Sequence, residues 1–111
     1  MQDGIYHVRF TSSSRDAGEG LAVIKQGSVN GGDPGYLYIG HLNDENGTVS
    51  GRITVKRWNP GHVSVFGPLE QFDLQLRGSL GAGGTFTVAG TSPELQNQSI
   101  SIAGSFLAPA A

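Results

Sequence analysis

Tyr36-Leu37-Tyr38-Ile39-Gly40-His41-Leu42 climbs, Asn43-Asp44-Glu45-Asn46-Gly47 reverses, and Thr48-Val49-Ser50-Gly51-Arg52-Ile53-Thr54-Val55-Lys56-Arg57-Trp58 returns. Asn-Gly is the strongest short signal for a two-residue hairpin turn, because both central residues must adopt positive φ. On the return strand Val49, Gly51, Ile53, Val55 and Arg57 alternate with Thr48, Ser50, Arg52, Thr54, Lys56 and Trp58. A period of two places the first set on a core face and the second on a polar outer face. The climbing strand is apolar on both faces: Tyr36, Tyr38 and Leu42 on one, Leu37 and Ile39 on the other. A strand of that kind is usually covered on both sides, by the core and by a neighbouring element or subunit.

The same alternation extends outward in both directions. Tyr6, Val8 and Phe10 face one way from Ile5, His7 and Arg9. After a polar loop from Thr11 to Ala17, Gly18-Glu19-Gly20 leads into a strand at Leu21–Lys25. Gln26-Gly27 marks a turn and Ser28–Asn30 a short strand. Gly31-Gly32-Asp33-Pro34-Gly35 is a dense turn cluster, in which Asp bonds back to its own backbone and Pro presets φ. Residues 59–71, with Pro60, Gly61, Gly67 and Pro68, form the longest irregular segment. Val63–Phe66 inside it is expected to anchor an ordered crossing loop or a short helical turn. Phe72, Leu74, Leu76, Gly78 and Leu80 share one face. Gly81–Gly84 is a tight connection, Phe86 and Val88 point inward, Thr91–Gln98 is a polar loop, and Ile100, Ile102, Gly104 and Phe106 close the chain.

No segment shows a 3.6-residue period, so the chain is all-β with seven or eight strands joined mostly by short connections. The chain has 111 residues and 18 glycines, with 37% hydrophobic residues. That length supports one domain with a single core. Glycines recur on the inward face at Gly51, Gly78, Gly90 and Gly104, with Gly40 joining them. Mid-strand glycine marks bends where a sheet coils toward closure. The expected architecture is a small antiparallel, up-and-down β-barrel of roughly eight strands; a β-sandwich is the alternative.

Several chemistries find no footing. Net charge is −2 and there are no cysteines. An acidic chain lacks the positive surface of a nucleic-acid binder, so the basic and aromatic run Arg52, Lys56, Trp58 is weak support for that class. Without thiolates, a zinc site would need His7, His41 and His62 to converge, and no two lie at ligand spacing. There is no Gly-x-Ser-x-Gly elbow and no Gly-Lys-Ser/Thr. Asp44-Glu45 sits on an exposed turn, where carboxylates lack the desolvation that makes catalytic acids. The expectation is a non-enzymatic protein with no cofactor. No apolar run approaches membrane-helix length, and Met1–Gly4 enters the first strand without a leader-like pattern, so a cytoplasmic location is expected.

Two recognition modes follow from the residues. Tyr36, Tyr38 and Trp58 cluster at the central hairpin; they are either part of a well-covered core or exposed aromatics which, beside a doubly apolar strand, suggest a protein interface. Leu37, Ile39, His41 and Trp58 are the candidates for a homodimer contact. Alternatively, a barrel interior enlarged by glycines holds a small apolar, lipid-like ligand. That reading expects a closed cavity of roughly several hundred cubic ångströms, lined by Tyr6, Val8, Phe72, Leu74, Phe86, Ile100 and Ile102.

Asp3-Gly4-Ile5-Tyr6, Gly18-Glu19-Gly20, Gly27, Gly31-Gly32-Asp33, Tyr38, Gly40 and Val55-Lys56-Arg57 occur in an order and spacing that resembles the enterobacterial type III secretion negative regulators of the GrlR type. The resemblance covers about the first 60 residues. It implies a calycin-like (lipocalin-like) eight-stranded barrel that dimerises and blocks a transcriptional activator without catalysis. It further implies that an exposed acidic Glu-Asp-Glu-Asp loop meets the partner. That loop falls here on Asn43, Asp44, Glu45 and Asn46, which retain two of the four acids.

Overall fold

The computed structural model describes residues 1–13, 17–61, 69–95 and 98–111. Eight strands follow one another: β1 (Gly4–Ser12), β2 (Ala17–Lys25), β3 (Ser28–Gly32), β4 (Tyr36–Glu45), β5 (Thr48–Arg57), β6 (Gln71–Leu80), β7 (Thr85–Thr91) and β8 (Ile100–Ala108). Each pairs antiparallel with the next, and β8 returns to pair with β1, so the sheet closes on itself. The fold is the expected up-and-down barrel rather than a sandwich, and closure leaves no open sheet edge.

Strand alternation decides what fills it. Tyr6, Val8 and Phe10 from β1, Ile24 from β2, Tyr36 and Tyr38 from β4, Val49 and Val55 from β5, and Phe72 and Leu74 from β6 are buried in one cluster. Phe86, Val88, Ile100 and Ile102 complete it from β7 and β8. Tyr6 packs edge-on against Phe106 with ring centroids 5.6 Å apart, and Phe10 tilts against Tyr38 at 4.9 Å. An eight-stranded barrel is just wide enough for side chains to fill it. The void left at its centre is about 30 Å³, walled by apolar side chains including Phe10, Ile24, Leu42, Leu76 and Val88.

Turns and close approaches explain the glycines that matter most. Gln26-Gly27 and Asn46-Gly47 both have positive φ at both positions (52° and 84°; 53° and 83°), the geometry of a two-residue turn whose twist matches the strands. Gly40 and Gly51 need no special φ. They face inward on the β4–β5 ladder, opposite Ile53 and Leu42. A Cβ at Gly51 would collide with the carbonyl oxygen of His41, and one at Gly40 with that of Arg52. The two strands cross too closely there for any side chain, which lets the ribbon coil.

Several local expectations change. β2 begins at Ala17 rather than Leu21, and β3 runs on through Gly31-Gly32. These small residues pair across the sheet instead of forming loops: Gly20 with Val8, and Gly31 with both Ala22 and Tyr38. β4 extends to Glu45, so most of the acidic segment is strand and not turn. Leu80 keeps its inward parity but is partly exposed, because it is the last residue of β6, at the barrel rim. β5 and β6, the strands on either side of this irregular segment, pair directly. Val63–Phe66 lies outside the described residues.

Candidate protein-binding surface

The turn before β4 holds the central hairpin in place. Asp33 Oδ1 accepts from the backbone N–H of Gly35 (2.8 Å) and of Tyr36 (2.7 Å). The buried Tyr38 hydroxyl donates to Asp33 Oδ2. Burial raises the Tyr38 pKa well above the ordinary phenol value, and the hydrogen bond to the Asp33 carboxylate and its charge push the same way. Trp58 Nε1 donates to the Asp33 carbonyl (3.0 Å), and Asn59 Nδ2 to that of Pro34 (3.1 Å). Tyr36 donates to the Leu69 carbonyl (2.9 Å) and accepts from Arg57 Nη2 (3.0 Å), whose guanidinium lies 5.5 Å from its ring centre.

This anchoring decides between the two readings of the hairpin aromatics. Tyr36 and Tyr38 are not exposed aromatics; they are fully buried and fix the inner face of β4. Strand parity then forces Leu37 and Ile39 outward, 38% and 49% exposed, with Trp58 at 53%. His41 is exposed on the same face. The register brings in two residues distant in sequence. Ile39 faces Asn30, which faces Val23; Leu37 faces Gly32, which faces Leu21. Leu21 is 52% and Val23 37% exposed. Four aliphatic side chains thus form two rows across β2–β4, spaced by the small residues of β3. Leu21 and Val23 alone look like an ordinary alternating strand; only the pairing makes them part of a patch.

The acidic segment lies at the far end of the same hairpin. Asn43 to Asn46 are all exposed, but they do not form one charged loop. Asp44 shares the inward parity of Gly40 and Leu42 and sits at the barrel mouth, where its carboxylate accepts from the Met1 ammonium. That hydrogen bond, with the adjacent charge, holds its pKa below the usual carboxylate range. Glu45 projects to the opposite face and has no ion pair among the described residues. One acid is therefore neutralised within the chain, and one is offered outward.

Among the described residues the interior offers no comparable site. All seven expected cavity residues, Tyr6, Val8, Phe72, Leu74, Phe86, Ile100 and Ile102, are buried. Only Val8, Phe86 and Ile102 border the 30 Å³ void; the rest are packed against neighbours. That volume is of the order of one water molecule, where a small-ligand site needs roughly 300 Å³ or more. Among the described residues, no buried side-chain polar atom lacks a partner. His7 Nε2 lies 2.7 Å from Glu19 Oε2 on the surface, and His62 lies outside the described residues. Among the described residues no three His, Cys, Asp or Glu side chains group to hold a metal, and no helix is long and apolar enough to cross a membrane.

No curated protein shows a significant match to the chain. The family model for GrlR, the T3SS negative regulator, matches residues 1–109. The match continues through β6–β8, well past the 60 residues whose motifs carry the resemblance. With its closed all-β barrel and that match across nearly its whole length, the chain belongs to the GrlR family of type III secretion system negative regulators.

Proposed function

We propose that this chain acts as a non-enzymatic negative regulator by binding a protein, such as a transcriptional activator of the secretion system, and that it does so as a homodimer. The observation that carries this reading is the exposed aliphatic patch on β2–β4. A barrel whose interior is filled by its own side chains has only its outside to offer. Leu21, Val23, Leu37 and Ile39, beside the exposed Trp58 and His41, suit a second copy of the chain, since exposed apolar patches of this kind mark interfaces. The Asn43–Asn46 end of the hairpin is left for the partner, with Glu45 as the charge that meets it. The apolar-ligand reading is the weaker one, because the void at the barrel centre is about a tenth of the volume it requires.

Affinity capture with the tagged protein tests the partner contact. Glu45→Gln reduces capture of the bound protein more than Asp44→Asn does, because Asp44 is already paired with Met1. Equal capture by wild type and the Glu45→Gln/Asp44→Asn double variant would remove the acidic segment from the account.

A further inference from the structure

We propose that the outer face of β5–β7 is a binding site for a small polyanion, a compound bearing several carboxylates or a phosphate, with Arg77 and Arg52 as its charged donors. A groove of about 760 Å³ opens on this face, bordered among others by His41, Ser50, Arg52, Gln75, Arg77 and Thr91. Arg52 stands opposite Gln75, and Arg77 opposite Ser50. The two arginines are therefore diagonal cross-strand neighbours, at a spacing long side chains span. A planar guanidinium presents paired N–H donors that match carboxylate and phosphate oxygens.

The carboxylate nearest by register is already committed. Asp73 Oδ2 accepts from Arg52 Nη2 at 2.6 Å and Oδ1 from the Thr54 hydroxyl at 2.6 Å. This pairing occupies one edge of Arg52 and leaves further N–H groups on a residue with five. Arg77 has no ion pair among the described residues. Its cross-strand neighbours are Ser50 and Ala89, neither charged. In a chain where acids outnumber Lys and Arg by nine to seven, an uncompensated arginine over a groove ringed by hydroxyl and amide groups is an anion site in waiting. The groove is open to solvent, so it suits a small anion held by its charges rather than one enclosed in a pocket. The net charge of −2 disfavours a long polyanion such as nucleic acid.

Titration of the isotope-labelled protein with citrate, and separately with pyrophosphate, tests this by amide chemical shifts. Saturable shifts are expected in residues 50–52, 75–77 and 89–91, weakening at high salt. Saturation by citrate alone assigns carboxylates, and by pyrophosphate alone phosphates; saturation by both assigns the shared chemistry. Arg77→Ala should weaken the affinity about tenfold, the loss of one charge-assisted contact, and Arg9→Ala, on β1, should leave it unchanged. The amide spectrum of each variant reports its fold, and Arg77→Gln replaces Arg77→Ala should the latter unfold. Saturation by neither anion overturns the proposal, as do equal affinities for wild type and a folded Arg77 variant.

Discussion

Tyr38→Phe removes one oxygen from the inside of β4 and tests how the central hairpin is held. The hydroxyl is buried and donates to the Asp33 carboxylate, which also carries the Gly35 and Tyr36 N–H groups. Hydrogen bonds to charged groups contribute about 1.5–3 kcal/mol. A domain of this size loses roughly 4 °C of Tm per kcal/mol, so the variant should melt roughly 6–12 °C lower at neutral pH. The alkaline limb is the sharper discriminator. The folded state holds the Tyr38 proton well above the ordinary phenol pKa, while the unfolded chain releases it near pH 10, at about the ordinary value. A raised folded pKa means stability that is complete below the unfolded value and lost as pH rises beyond it. Wild type should therefore lose about 1.4 kcal/mol per pH unit above about pH 10 through this group, a loss the phenylalanine variant cannot show. Urea denaturation followed by Trp58 fluorescence at stepped pH values measures both. Stability curves that stay parallel from neutral pH to beyond pH 10 would refute the argument that this buried hydroxyl and Asp33 hold the hairpin.

Gly51→Ala should cost about 3 kcal/mol or more in urea unfolding, because the new methyl meets the His41 backbone, which cannot rotate away. Gly47→Ala should cost only about 1–2 kcal/mol: its φ of 83° is strained for alanine, but nothing lies within 4 Å. Asp73, held below the usual carboxylate pKa by Thr54 and then Arg52, contributes stability that is present above about pH 4 and lost as pH falls through its lower folded value. Asp73→Asn should therefore flatten the acid limb of the stability profile and leave the neutral plateau slightly lower. In the proposed homodimer, Ile39→Asp should halve the mass measured by sedimentation equilibrium while shifting the unfolding free energy of the dilute protein by no more than about 0.5 kcal/mol, as exposed sites do. An unchanged mass would contradict a dimer built on the β2–β4 face.

Much of the architecture is legible in the chain because alternation and inward glycine obey the same rule: whatever points into a coiled barrel must be apolar or absent. Phe72-Asp73-Leu74-Gln75-Leu76 can be placed without knowing its neighbours. Gly31-Gly32 cannot. Adjacent glycines usually signal a turn, and only the pairing with Leu21 and Ala22 shows them as strand. Tyr38 carries the same ambiguity, since a tyrosine in an alternating run is equally consistent with either face until Asp33 is seen to accept its hydroxyl. The surface features were the least legible. The aliphatic patch and the Arg52–Arg77 groove each join residues more than 15 positions apart, through registers that no local pattern encodes. The two acids of Asn43–Asn46 are adjacent in sequence, yet parity sends them to opposite faces.

The most direct test is secretion itself. In the bacterium that carries this chain and a type III secretion system, removing the chain and restoring it from a plasmid allows secreted effector protein to be quantified. Wild type should lower secretion, and Glu45→Gln combined with Ile39→Asp, at equal folded levels, should not. A double variant that represses as fully as wild type would contradict the claim that the outside of this barrel carries the regulation.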